Sequence, residues 1–135
     1  MRQLQHPDMA GITVEGILHA LSDPVRADIF VRIAASGDSH TCASFQECPV
    51  RGLLPKSTLS QHFRVLREAG LIRSERRGVE LRNSSRCAEI EGRFPGLIRA
   101  LLAAWQSQRG GPAQRRVAAA RAKARKTPAS RATTR

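Results

Sequence analysis

The stretch KSTLSQHFRVLREAGLIRSERR, residues 56–77, decides how this chain is read. From Ser57 to Ala69, Leu59, Phe63 and Leu66 recur at i, i+4 and i+7, which places them on one face of a helix turned toward a core. Ser57, Ser60, Gln61 and Arg64 fall on the opposite face, where a solvated helix ordinarily carries Lys/Glu pairs. Small hydroxyls, an amide and a guanidinium are instead the groups that enter a major groove and hydrogen-bond base edges or phosphates. Gly70 supplies the left-handed residue that ends the helix. Leu71-Ile72-Arg73 then opens a strand over 71–75, Arg76-Arg77-Gly78 falls at a hairpin tip, and a return strand covers 79–82. A reading helix followed by a basic wing implies binding to DNA.

Upstream, Ile12, Ile17, Leu18 and Leu21 form a helical apolar pattern. Ser22-Asp23-Pro24 restarts the chain as a cap followed by proline at the first helical position. A second helix is predicted from Pro24 to about Ala35, with Val25, Ile29 and Ile33 four residues apart, stopping before Gly37. A short third helix is predicted over Cys42–Glu47, ended by Cys48-Pro49 because the residue before proline avoids the α region. Pro49–Pro55 is then a turn, longer than a tight helix-turn-helix needs. Downstream, Ser84-Ser85 can cap a last helix whose apolar positions run from Ile90 to Trp105, kinked at Pro95.

A length of 135 residues suits one domain with a modest core and a tail. The formal net charge of +12 is unevenly spread. Nine of the 23 Lys/Arg and no acid lie from Gln108 onward, so the first 107 residues carry 14 bases against 11 acids. The division expected is a loose arm over 1–11, a body over 12–107 and a basic, disordered tail over 108–135. The charge favours a polyanionic partner. No stretch approaches the roughly 18 to 20 apolar residues of a membrane span, and residues 1–16 lack the pattern of a secretory signal. Three cysteines make no disulfide framework, so a cytoplasmic protein that does not engage a membrane is expected.

Two segments, LSDPVRADIF (21–30) and STLSQHFRVLREAGLIRSERRG (57–78), resemble ArsR-type transcriptional regulators, which are winged helix-turn-helix repressors. The resemblance covers about residues 14 to 105 and leaves out the tail. It implies a mainly α fold, with about five helices and a two-stranded β-wing, assembled as a homodimer through its first and last helices. Here those helices would present Ile12, Ile17, Leu18, Leu21, Ile90, Phe94, Leu97, Ile98, Leu101, Leu102 and Trp105. Carried over by position, Ser57, Thr58, Ser60, Gln61 and His62 face the groove, Lys56 and Arg64 suit phosphates, and Arg76 and Arg77 suit the adjacent minor groove or backbone. The function implied is sequence-specific binding to a pseudo-palindromic duplex operator by a repressor released by an inducer. The chain departs from the pattern at Pro55, which stands where the family often has a capping serine.

No cofactor is expected, and no metal site. The third-helix Cys-x-Cys pair of metal-sensing relatives is absent, leaving His40, Cys42 and Cys48 as the residues that could offer a soft metal a nitrogen and sulfurs. The alternative is that the cysteines are small buried hydrophobes; a thiol switch with Cys87 is a third. His6 and His19 have no partner nearby in sequence. The main rival function is an architectural protein that binds any DNA through its tail. An enzyme is not expected, since no nucleophile–base set, phosphate loop or carboxylate pair is evident. An antitoxin-like regulator would instead dock a different protein on the 90–105 helix.

Overall fold

The computed structural model describes residues 4–110, together with Ala120 and Lys123. The chain divides into two compact units, Met1–Ile98 and Arg99–Arg135. Most of the expected basic tail lies outside the described residues.

The first two helices meet at a corner written in the motif Asp23-Pro24-Val25-Arg26. Helix α1 (Val14–Leu21) is capped by Thr13, whose hydroxyl accepts from the Gly16 N–H at 3.0 Å. Helix α2 (Pro24–Ser36) is capped by Asp23, which accepts from the N–H groups of Val25 and Arg26 at 2.8 and 3.1 Å. Arg26 turns back and donates through Nε to the Ala20 carbonyl at 2.7 Å, satisfying one of the orphan carbonyls of α1. Helix α2 ends at Gly37, whose φ of 70° is the left-handed stop its position implied.

The expected helix over Cys42–Glu47 is not formed. The chain runs as strand β1 (His40–Thr41), a 3₁₀ turn over Cys42–Phe45, strand β2 (Glu47–Cys48) and strand β3 (Gly52–Leu53), the last two forming an antiparallel hairpin. Arg32 of α2 explains the difference. It pairs with the buried Asp28 at 3.5 Å, lies 4.6 Å over the Phe45 ring and donates to the carbonyls of Ser44 and Glu47 at 3.0 and 3.3 Å. Carbonyls bound by a guanidinium are withdrawn from a helical ladder, and Pro49 has no N–H with which to extend one.

Helix α3 (Lys56–Glu68) follows, then the wing strands β4 (Ile72–Arg77) and β5 (Glu80–Ser85), joined at Gly78-Val79. The strands are longer than the sequence pattern indicated, and β1 adds a third strand in the order β1-β5-β4. A buried polar link crosses this sheet: Ser74 Oγ donates to Asn83 Oδ1 at 2.6 Å, and Asn83 Nδ2 donates to the His40 carbonyl at 3.2 Å. Ser84 and Ser85 pair within β5 and do not cap a helix.

The single last helix expected is two: α4 (Cys87–Arg93) and α5 (Leu97–Arg109). Pro95 and Gly96, with a φ of 85°, separate them, and the Gly96 N–H donates to Glu91 at 2.8 Å. Five α-helices thus lie between residues 4 and 110, although not the five the periodicity indicated.

The core of the first unit joins Ile17, Phe30, Ile33, Phe45, Leu59, Phe63, Leu66, Leu71 and Ile72, all nearly inaccessible. It also takes up much of the expected dimer face. Ile12, Ile17, Leu21, Ile90 and Ile98 are all buried within the protomer. Ile12 is not helical; it precedes the Thr13 cap and fills the space beside Gly70. Leu18 stands 48 % exposed, and Phe94, Leu97, Leu101, Leu102 and Trp105 are partly exposed.

The arm is not loose over its described part. Asp8 caps a 3₁₀ turn over Met9–Gly11. The buried Arg86, ion-paired with Glu89, donates to the Pro7 carbonyl at 2.9 Å.

Candidate nucleic-acid interface

Helix α3 is held by its apolar face and offers its polar one. Leu59, Phe63 and Leu66 are buried, and the Phe63 ring meets Phe45 edge-on at 5.5 Å. Lys56, Ser57, Thr58, Ser60, Gln61 and Arg64 are all exposed. The stripe of hydroxyls and an amide is therefore open to solvent. Pro55 occupies the N-cap and makes no side-chain cap bond, so the helix presents backbone N–H donors at the end beside Lys56.

The cations assigned to this interface are in different states. Arg64 pairs with Glu68 along the helix at 2.9 Å, and Arg77 with Glu75 on β4 at 3.8 Å. Both pairs are exposed, worth about 0 to 1 kcal/mol, and easily exchanged for a phosphate. Lys56 and Arg76 are exposed and form no ion pair among the described residues. The hairpin turn falls at Gly78-Val79, so both arginines end strand β4 and do not sit in the turn.

His62 lies at the edge between core and stripe. It is half-buried, and its Nδ1 is covered without a hydrogen-bond partner. Burial, foremost, holds its pKa below the ordinary histidine range; Asp23 opposes this, while Arg26 and Arg51 act with burial. The imidazole is accordingly neutral at pH 7 in the free protein.

The residues considered for a metal are each engaged elsewhere. The His40 ring hydrogen-bonds Ser36 Oγ and packs edge-on against Phe45 at 5.7 Å. Cys42 Sγ accepts from Asn83 Nδ2 at 3.5 Å, and Cys48 is buried in the core. All three cysteines are free thiols, and burial raises the pKa of Cys87, keeping it protonated. Among the described residues no His, Cys, Asp and Glu cluster of three or more could hold a metal.

Two features escaped the sequence reading. His6 has a partner after all, the Ser74 backbone, 68 positions away. The β2–β3 hairpin places Arg51 beside the reading helix. Two-residue strands carry too little alternation to be seen, so the sequence shows Pro49–Pro55 as a turn without its strands; Gly52, with a φ of 74°, closes that turn.

Residues 21–75 match a family model described as a helix-turn-helix domain. No curated protein matches the sequence. Among solved structures, Rv0081 of M. tuberculosis is 26% identical over 72% of this chain and 91% of its own, with a TM-score of 0.51. The transcriptional repressor BigR from Xylella fastidiosa is 20% identical over 70% of this chain and 83% of its own, also with a TM-score of 0.51. An ArsR-like transcriptional regulator from Rhodococcus sp. RHA1 is 23% identical over 82% of this chain and 91% of its own, with a TM-score of 0.47. With a helix-turn-helix domain over residues 21–75 and the β4–β5 wing behind α3, the chain is a winged helix-turn-helix protein that shares its fold with BigR and Rv0081.

Proposed function

We propose that the protein is a sequence-specific regulator of transcription that binds double-stranded DNA, acting in the cytoplasm as a homodimeric repressor. The observation that carries this reading is the exposed face of α3, where Ser57, Thr58, Ser60 and Gln61 stand clear of the core beneath. These are base-edge and sugar–phosphate partners, and Lys56 and Arg64 stand on the same helix with them. Ser57, Ser60 and Gln61 read bases, Thr58 and His62 border the groove, and Lys56, Arg64, Arg76 and Arg77 hold the backbone.

Apolar side chains left partly exposed support a second copy as partner: Leu18, Phe94 and Leu97 in the first unit, and Leu101, Leu102 and Trp105 in the second. Two reading helices would then enter successive major grooves about one turn apart, so the operator is a pseudo-palindrome. A cavity of about 240 Å³, lined by Cys42, Gln46, Lys56 and Ser60 among others, lies against the first turns of α3. A small inducer seated there would compete with DNA for Lys56 and Ser60, which supports release by a ligand.

The second reading, an architectural protein that binds any duplex through its basic tail, rests on the nine Lys/Arg from Gln108 onward. Selection of duplexes from a random-sequence pool by the full chain and by a chain ending at Gln108 separates the two. A regulator enriches a pseudo-palindrome in both forms, with weaker and less salt-dependent binding after truncation. Enrichment of no sequence, with binding lost on truncation, would replace it by the architectural reading.

A further inference from the structure

The hairpin immediately before the reading helix has no part in the roles above, yet it is built as a rigid stem with an exposed tip. Its strands pair Glu47 with Leu53 and Cys48 with Gly52. Its root is fixed: Cys48 and Leu54 are buried, the Leu54 N–H donates to the Gln46 carbonyl at 2.8 Å, and the Glu47 carbonyl is held by Arg32. Gly52 takes the left-handed conformation that closes the three-residue turn Pro49-Val50-Arg51. The turn itself is exposed, with Val50 49 % accessible and Arg51 beside it, and Leu53 on the second strand is 78 % accessible.

Two further observations say what the tip meets. Arg32, Arg64, Arg73, Arg77, Arg82 and Arg86 each have a carboxylate within ion-pair distance. Arg51 has none among the described residues, and neither does Lys56, five positions on at the start of α3. The Arg51 charge also bears on His62, a side chain at the edge of the groove-facing stripe. An unneutralised cation in a turn that also exposes two apolar side chains matches a phosphate with its neighbouring deoxyriboses better than a protein surface.

We propose that the Pro49–Arg51 turn is a second DNA-contacting tip, in which Arg51 binds a backbone phosphate beside the groove entered by α3 while Val50 and Leu53 pack on the adjoining sugars. This rests on the reading of α3 as the DNA-binding helix. It makes the recognition surface three-part: hairpin, helix and wing.

The test uses the full chain and a 30-base-pair duplex enriched by the wild-type protein from a random pool, titrated across a salt series. Arg51→Ala should weaken binding roughly three- to tenfold and reduce the slope of log affinity against log salt by about one, without altering which sequence is enriched. Arg51→Lys should restore the slope. Val50→Ser with Leu53→Ser should weaken binding at an unchanged slope, and hydroxyl-radical footprints of Arg51→Ala should lose protection at one flank of each half-site. Because Arg51 forms no hydrogen bond or ion pair among the described residues, thermal melts should match the wild type; if they do not, Arg51→Gln takes its place. Wild-type affinity, slope and footprint in a folded Arg51 variant would overturn the hairpin contact alone. Failure of the wild-type chain to enrich any duplex would instead overturn the reading of α3.

Discussion

The backbone N–H of Ser74 donates to Nε2 of His6 at 2.9 Å, binding the arm to the first wing strand. Ser74 is a junction. Its hydroxyl donates to Asn83 of β5 and accepts from Arg67 of α3 at 3.2 Å. Arm, reading helix and wing are therefore fastened at one residue. The His6 bond exists only while Nε2 is unprotonated.

Acidification should loosen this junction. Burial, then the charges of Arg73, Arg67 and Arg86, lower the pKa of His6 from 6.5, against a hydrogen bond with the Leu4 backbone that raises it. The unfolded chain therefore takes up a proton at a higher pH than the folded one, and stability rises with pH across that interval. The His6 contribution is full above pH 6.5, declines as pH falls below it and levels off below the folded pKa. His62 titrates in the same direction, so the measurement is a difference. Urea unfolding of wild type and His6→Ala between pH 5 and 8 should show a loss of about 1 kcal/mol in the variant at neutral pH. That gap should narrow in acid. A gap constant across the range would show that the imidazole does not hold the arm.

Gly70 should be far less replaceable than Gly78, although both have positive φ. A Cβ at Gly70 would stand 2.4 Å from Ile12 Cδ1, and its φ is 82°. Gly78, with φ 62°, has nothing within 4 Å. Gly78→Ala should cost about 1 kcal/mol of left-handed strain. Gly70→Ala adds overpacking against a buried isoleucine, for a total of about 2 to 4 kcal/mol. Denaturant midpoints measure both; similar losses would mean that Ile12 moves aside freely.

Gln61→Ala and Arg77→Ala should fail differently on DNA. Gln61 is an exposed amide on the stripe, and its loss should relax preference at one base position by about 1 to 3 kcal/mol. Arg77 carries charge without sequence information. Its removal should weaken every duplex alike and lower the salt slope by about one. Competition titrations with matched and mismatched duplexes would show this, and equal loss of discrimination in both variants would contradict the assigned roles.

Local chemistry made the α3 boundary and the α2 caps legible: Asp23-Pro24, Gly37 and Gly70 each act within a few residues of themselves. The stripe on α3 was legible for a related reason, since Leu59, Phe63 and Leu66 leave only one face for Ser57, Ser60 and Gln61. The segment from Cys42 to Leu53 was not, because Arg32 decides it from a different element. The arm was misread because its fastening depends on Ser74, which no local pattern links to His6.

The amino-acid order alone settled that a polar-faced helix precedes a basic hairpin, because periodicity and stop residues are short-range effects. Folding in three dimensions settled which apolar residues remained for a partner, how the reading helix is joined to arm and wing, and that a second hairpin stands beside it. Those outcomes depend on which distant side chain reaches a carbonyl or fills a gap first, and chain spacing does not encode that competition.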